Sequence, residues 1–70
     1  MERTPVSSSQ IASIGYDPDQ QILEVEFKGG GVYQYVDVPP ETHAHLIGAQ
    51  SVGQAFHSLI RGQFQFSKVA

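Results

Sequence analysis

The most constraining feature of the sequence is a run from Ile22 to Lys28 in which apolar and charged side chains alternate. The apolar set is Leu23, Val25 and Phe27, and the charged set is Glu24, Glu26 and Lys28. A period of two places successive side chains on opposite faces of an extended strand. This run is therefore the clearest strand in the sequence, with one apolar and one charged face.

Two neighbouring segments also have the composition of strands. Residues 10–16 interleave apolar and small polar side chains, and this predicts a strand whose apolar face carries Ala12, Ile14 and Tyr16. Asp17-Pro18-Asp19 then supplies a turn, because Asp bonds the backbone ahead of it and Pro presets φ. After three glycines, Val32–Val36 is β-branched and aromatic, which predicts a third strand. Together the three strands predict an antiparallel meander.

The second half of the chain carries helix signals. Pro39-Pro40 followed by Glu41 suits a helix start, and this helix is predicted to end near Gly48. Ser51 and Gln54 have the spacing of a capping box that opens a second helix. Its apolar residues fall on one stripe, and Gly62 supplies the stop. The stripe consists of Val52, Ala55, Phe56, Leu59 and Ile60.

These elements predict an α+β fold: a three-stranded antiparallel β-meander followed by two short α-helices packed on one face. Residues 63–66 alternate again, which leaves open a short fourth strand at the C-terminus. Seventy residues suffice for one domain, which we expect to occupy residues 1–70 with a core at about 6–68. Apolar residues are 40% of the chain and charged residues 16%, as in globular proteins.

Composition also excludes several classes of protein. There is no cysteine, so disulfides, thiolate zinc sites and thiol nucleophiles are ruled out. No apolar run approaches the length of a membrane span or a signal sequence, and we expect a soluble cytoplasmic protein that does not bind membranes. The formal charge of −3 argues against strong nonspecific binding of nucleic acid.

Catalytic and metal sites are not predicted. The chain has no GxSxG motif, no phosphate-cradling glycine loop and no acid pair for glycoside chemistry, so we expect neither an enzyme nor a small-molecule substrate. His43 and His45 stand two residues apart on a helix and point to opposite sides, so they cannot share an ion. His43 is expected inward beside Leu46 and Ile47, whereas His45 is expected in solvent. No cofactor and no metal are expected.

The order of the segments resembles a known family, the KTSC domain. The residues that carry the resemblance are Val6-Ser7-Ser8-Ser9, Ile11, Ile14-Gly15-Tyr16-Asp17, Leu23–Phe27, Tyr33-Gln34-Tyr35, Val38-Pro39, Ser51-x-Gly53-x-x-Phe56 and Ile60-Arg61. This family is named for the carboxyl-terminal extension of some lysyl-tRNA synthetases and includes small free-standing bacterial proteins. The resemblance implies a non-catalytic domain with an RNA-binding accessory role. It also implies that Ser7–Ser9 are structural, with hydroxyls that satisfy the backbone where the first strand begins.

The candidate RNA-binding or partner-binding residues are Tyr33, Tyr35, Lys28 and Arg61. The two tyrosines share one face of their strand, and the hairpin loop decides which face. A two-residue Gly29-Gly30 loop places them beside Glu24 and Glu26, away from the core. A three-residue glycine loop instead pairs Tyr33 with Phe27 and Tyr35 with Val25, on the core face. Both registers remain open at this point.

Two functions follow from these residues. Exposed tyrosines could stack unpaired bases while Arg61 contacts phosphate, with Lys68 nearby, which predicts weak and salt-sensitive RNA binding. The alternative is a protein-interaction or self-association module that uses a sheet edge or an aromatic patch. Salt separates the two, because RNA binding weakens as ionic strength rises whereas apolar association does not.

Overall fold

A computed structural model describes all 70 residues and contains one antiparallel sheet of five strands. The strands are β1 (Thr4–Pro5), β2 (Ile11–Asp17), β3 (Ile22–Phe27), β4 (Val32–Tyr35) and β5 (Phe66–Lys68), and their order in the sheet is their order in the chain. Helices α1 (Pro40–Ile47) and α2 (Val52–Leu59) lie between β4 and β5 in the chain. The predicted α+β fold is confirmed, and the strand left open at the C-terminus is present as β5.

The two outer strands differ from the sequence analysis in position. β1 is not predicted, because two residues are too few to show an alternating pattern. β5 begins at Phe66 rather than at Gln63, because the chain is still turning after α2. Gly62 has a φ of 80°, and the N–H of Gln63 donates to the carbonyl of Ile60 at 3.0 Å.

Strand β2 contains an irregularity that changes its buried face. Its pairing with β3 shifts between Ile11 and Ser13, as in a β-bulge. Ile11 therefore pairs with Phe27, and Ile14 pairs with Val25, so both isoleucines are buried in the core. The prediction that Ala12 belongs to the buried face is wrong, because the bulge adds one residue and gives that position to Ile11.

Helix α2 covers the middle of the sheet. The Ser51 hydroxyl accepts a hydrogen bond from the Gln54 N–H at 3.3 Å, which satisfies one free donor at the helix start. Val52, Phe56 and Ile60 are buried along the predicted stripe. The Phe56 ring meets the rings of Phe27 and Tyr35 edge-on at 5.5 and 5.6 Å. These contacts fix the helix over β3 and β4.

Helix α1 packs through a narrower face than predicted. Leu46 is fully buried, and the His43 ring stacks on Tyr16 at 4.4 Å between centroids. The Tyr16 hydroxyl donates to the Val38 carbonyl, which ties β2 to the chain just before α1. The inward placement of Ile47 is wrong: it is 49% exposed, because it lies a further 100° around the helix from Leu46. His45 is exposed, as predicted.

The hairpin between β3 and β4 fixes the register of the tyrosines. The Phe27 N–H donates to the Gly31 carbonyl at 3.1 Å, so the loop is Lys28-Gly29-Gly30. Gly30 and Gly31 have φ values of 110° and 94°, which favour glycine. Val25 pairs with Tyr33, and Leu23 pairs with Tyr35.

These pairs differ from those of both predicted registers. The register with a three-residue glycine loop correctly places both tyrosines on the core face, but the observed partners of the tyrosines differ from its partners by two residues along the strand. Tyr33 and Tyr35 therefore both face the helices.

The other face of the sheet is polar and internally bonded. Glu24 accepts from Arg3 at 3.2 Å and from the Gln34 amide at 2.9 Å, and Glu26 accepts from the Ser13 hydroxyl at 2.9 Å. Arg3 reaches Glu24 because the N-terminal segment passes closely over Gly15. A Cβ at Gly15 would lie 2.5 Å from the Glu2 carbonyl oxygen.

Two predicted local motifs are also present. The Ser8 hydroxyl accepts from the N–H groups of Gln10 and Ile11, both at 3.2 Å, which confirms its structural role at the start of β2. The Asp17 carboxylate accepts from the Asp19 N–H at 2.9 Å, as expected for the turn between β2 and β3.

Candidate functional site

An aromatic groove opens where β4, β5 and the end of α2 meet. Its volume is about 430 Å³, and no Asp or Glu lines it. We call it the aromatic groove and define it by its lining residues: Gln10, Phe27, Gly30, Tyr33, Tyr35, Phe56, His57, Arg61, Gly62 and Phe66. Three of the four predicted site residues, Tyr33, Tyr35 and Arg61, are therefore brought together here.

Tyr33 and Phe66 form the accessible aromatic surface of the groove. The half-buried Tyr33 ring packs edge-on against Phe27 at 5.5 Å and lies 5.8 Å from the ring of Phe66. Phe66 is 59% exposed, the largest exposed fraction among the large apolar side chains. Since β5 positions Phe66 directly opposite Tyr35, the pairing of β4 with β5 places this ring at the groove.

Tyr35 forms the floor of the groove rather than its rim. Only 6% of the residue is exposed, and its ring lies between Phe56 at 5.6 Å and Phe66 at 5.4 Å. Burial raises the pKa of Tyr35 above its ordinary value of 10.0, and neighbouring Tyr33 raises it further, while the Arg61 charge opposes this. The hydroxyl is therefore protonated at neutral pH, and Tyr35 supports the neighbouring rings.

Arg61 supplies the positive charge of the groove. It follows Ile60, the C-cap residue of α2, and its Nη1 lies 3.4 Å from Nδ1 of His57, one helical turn earlier. The ion pair of this protein joins Arg3 to Glu24 on the opposite face, so Arg61 has no carboxylate partner. A guanidinium without an acidic partner, next to exposed aromatic rings, is available to an anionic ligand.

Lys28, the fourth predicted residue, is separate from the aromatic groove. It lies in the β3–β4 loop and lines a polar cavity of about 490 Å³ with Ser7–Ser9 and the first turn of α2. His57 of α2 lines both cavities, so the cavity that contains Lys28 adjoins the aromatic groove along this helix. Lys68 instead pairs with Tyr33 across β4 and β5, and its side chain reaches the Gly31 position.

The sequence does not predict the roles of Phe66, His57 and Phe27 in this groove. The alternation of residues 63–66 indicates an extended tail, which is the signal that places Phe66 on a strand. No local pattern in the sequence indicates which strand this tail pairs with. The approach of Phe66 to Tyr33 and Tyr35 therefore depends on tertiary structure alone.

A second and larger cavity lies at the other end of the sheet. It has a volume of about 810 Å³ and is bounded by the N-terminal segment, β2 and α1. We call it the N-terminal cleft, and its lining includes Glu2, Val6, Ile14, Tyr16, His43, Ile47 and Val52. It shares no residue with the aromatic groove.

No group of three His, Cys, Asp or Glu side chains is arranged to hold a metal ion. The three histidines lie in different surroundings: His43 on Tyr16, His57 beside Arg61, and His45 in solvent. Neither eight-residue helix has the length and apolar character of a segment that crosses a membrane.

Comparison with known proteins identifies the family. The sequence model of the KTSC domain matches residues 7–64. A crystal structure of a KTSC domain protein from Yersinia pestis superposes with a TM-score of 0.96, at 46% identity over 99% of this chain and 97% of that one. The chain belongs to the KTSC domain family.

Relatives of two sizes match the chain. An uncharacterized protein of Stutzerimonas stutzeri is 48% identical over 63 residues, which are 90% of this chain and 89% of that protein. A lysine–tRNA ligase of Nostoc punctiforme is 39% identical over 62 residues, which are 89% of this chain but only 11% of the ligase. The domain is thus similar both to small proteins and to one region of a much longer enzyme.

Proposed function

We propose that the protein is a non-catalytic cytoplasmic domain that binds unpaired RNA bases in its aromatic groove. The observation that carries this proposal is the meeting of Tyr33, Phe66 and Arg61 around a groove without a carboxylate, in a chain whose formal charge is −3. An exposed ring stacks a base, and a guanidinium contacts the adjoining phosphate. The similarity to a region of a lysine–tRNA ligase supports RNA as the ligand class.

The placement of the acidic side chains in the sheet supports binding of RNA in the aromatic groove. Glu24 and Glu26 would repel phosphate if they lay beside the tyrosines. Instead they lie on the opposite face, where Arg3, Gln34 and Ser13 bind them. The nearest charges on the groove side are therefore those of Arg61 and, across the strands, Lys68.

The expected affinity is low. One stacked base contributes about 1–3 kcal/mol, and the accessible rings of the groove are those of Tyr33 and Phe66. Arg61 and Lys68 neutralise two phosphates at most. For single strands the logarithm of the binding constant then falls with the logarithm of salt concentration with a slope of about −1.4. Binding of this kind suits an accessory domain that adds to a second contact rather than acting alone.

A binding role fits the groove better than catalysis. The Tyr35 hydroxyl has a raised pKa, which makes it a poor nucleophile and a poor base near neutral pH. His57 lies beside the Arg61 guanidinium, and no hydroxyl or carboxylate is hydrogen-bonded to it. The groove thus lacks the paired nucleophile and base that acyl or phosphoryl transfer uses.

The test is an NMR titration of the ¹⁵N-labelled protein with a short single-stranded RNA at low salt. We expect shifts in the amides of β4, β5 and the end of α2. Arg61→Gln should weaken binding several-fold, whereas Arg3→Gln, which removes the same charge from the opposite face, should leave it nearly unchanged. An unchanged spectrum, or equal weakening by both variants, would reject this RNA site.

A second function is favoured by one observation, the exposed edge of β5. Phe66 and Val69 are 59% and 49% exposed on and beside this strand, whose outer backbone groups have no partner strand. Such an edge can pair with another chain or with a second copy of this protein. Sedimentation equilibrium distinguishes this case, since self-association depends on protein concentration and persists at high salt.

A further inference from the structure

We propose that the N-terminal cleft binds a protein segment that presents a basic side chain between apolar ones. The cleft is the largest cavity of the molecule, at about 810 Å³, and this size lies within the range of ~300–1,000 Å³ typical of ligand sites. It is separate from the aromatic groove, so this inference is independent of the RNA proposal.

Aliphatic side chains form one part of the cleft wall, beside the polar Thr4, Ser7 and Gln50. Val6, Ile14 and Val52 line its inner part, and Ile47 lines it from α1. Ile47 is 49% exposed although it is a large aliphatic side chain on a helix that otherwise packs through Leu46. Burial of this side chain by a partner would remove apolar area from water, which favours association.

The charged side chain that lines the cleft is negative. Glu2 lines it directly, and no Lys or Arg does. Glu41 and Asp17 lie outside the lining but adjoin the lining residues Pro40 and Tyr16 in the chain. The pKa of Tyr16 is raised first by burial and then by the negative charges of these two carboxylates. Arg3, the nearest arginine in sequence, is bound to Glu24 on the other face of the sheet.

The one basic residue in the lining does not offset these charges. Burial lowers the pKa of His43, so its ring is neutral at pH 7. It stacks on Tyr16 with an angle of 10° between the ring planes. Flat aromatic surfaces bounded by carboxylates favour the guanidinium of arginine, which both stacks and forms hydrogen bonds.

These features select a peptide segment over RNA as the occupant. Phosphate would be repelled by Glu2, Glu41 and Asp17, whereas a basic side chain would be attracted by all three. The aliphatic part of the wall then accepts the side chains that flank the basic residue. The two cavities would thus bind ligands of opposite charge.

The experiment uses two capped heptapeptides, one alternating leucine with arginine and the other alternating leucine with glutamate. Each is titrated into the ¹⁵N-labelled full chain. We expect the arginine peptide to shift the amides of Tyr16, His43 and Ile47, and the glutamate peptide to leave them unchanged. Equal responses to both peptides, or shifts confined to the aromatic groove, would overturn the proposal.

Charge-removing variants distinguish binding of the arginine peptide at the cleft from its nonspecific attraction to an acidic protein. Glu2→Gln combined with Glu41→Gln should weaken the arginine peptide by about tenfold. Glu26→Gln and Asp37→Asn together also remove two charges, at residues that do not line the cleft, and should change binding by less than twofold. Arg61→Gln should also have no effect, although it weakens RNA binding at the aromatic groove. Equal losses in the two double variants would mean nonspecific attraction and contradict the proposal.

Discussion

Tyr33 lies directly opposite Val25 on the neighbouring strand, and this pairing turns its ring toward α2. The two carboxylates on either side of Val25, those of Glu24 and Glu26, consequently point to the other face. A shift of one residue in the hairpin would exchange the two sets, and the tyrosines would then stand among acids. The Lys28-Gly29-Gly30 loop therefore determines the chemistry of the groove as well as the sheet register.

Tyr35 is expected to matter for stability more than for ligand contact. Tyr35→Ala removes a buried ring that packs on Phe56 and should cost about 3–5 kcal/mol. Since a domain of this size has a total stability of roughly 4–10 kcal/mol, a large part of it would be lost. Tyr35→Phe keeps the packing and should remain within about 1.5 kcal/mol of the native protein. Urea denaturation measures both, and a Tyr35→Ala midpoint equal to that of the native protein would contradict the assignment to the core.

Gly15 and Gly29 form a matched pair of substitutions. Alanine at Gly15 would place its Cβ 2.5 Å from the Glu2 carbonyl oxygen, so β1 must move and the ion pair of Arg3 would be disturbed. We expect a loss of about 1–3 kcal/mol. A Cβ at Gly29 meets nothing within 4 Å, and alanine there should be neutral or slightly stabilising. Thermal unfolding gives the melting temperature of each variant. Equal melting temperatures would contradict the close approach of the Glu2 carbonyl to Gly15.

The cap of α2 can be tested within the same helix. Ser51→Ala removes the acceptor for the Gln54 N–H and should destabilise the protein by about 1 kcal/mol. Ser58 is exposed in the same helix, and Ser58→Ala should have no cost because alanine favours helix. The difference between the urea midpoints of the two variants measures the contribution of the capping hydrogen bond to stability. If Ser58→Ala were the more harmful change, the capping role of Ser51 would be refuted.

His43 should make stability depend on pH. Its pKa is lowered by burial below the ordinary value of 6.5, so the unfolded chain binds this proton more tightly. The contribution of His43 is therefore complete above pH 6.5 and is lost as the pH falls toward its folded-state pKa. His43→Phe keeps a ring on Tyr16 and should flatten the dependence as the pH falls below 6.5, whereas His45→Phe should not. Urea midpoints across this interval provide the measurement, and identical profiles for the two variants would exclude His43 as the source.

Patterns that repeat within a few residues predicted much of this fold. The alternation around Val25 predicted β3, and the Ser51 cap with its apolar stripe predicted α2. Tyr33, Tyr35 and Arg61 were also singled out, although their common groove was not. Each of these signals is local, since period and capping depend on neighbours in sequence.

The remaining features depend on distant parts of the chain. The bulge that buries Ile11 in place of Ala12 arises from pairing with β3. Likewise β1 exists only because residues 4 and 5 meet β2, and the exposure of Ile47 depends on how α1 lies against the sheet. Lys28 is predicted to bind the same ligand as the tyrosines and Arg61, whereas the hairpin turns it toward another cavity. The spacing of residues in the sequence does not indicate which distant segments will contact each other.

The last strand has a consequence for the order in which the groove forms. Val32, at the start of β4, accepts from the Val69 N–H at 2.8 Å and donates to the Ala70 carbonyl at 3.0 Å. The wall of the aromatic groove that carries Phe66 therefore belongs to a strand that follows both helices in the chain and closes the sheet beside β4. Contacts between segments far apart in sequence form late in folding, because a long loop must close first. Until β5 pairs, β4 is an open edge, so the groove takes shape only in the last step of refolding.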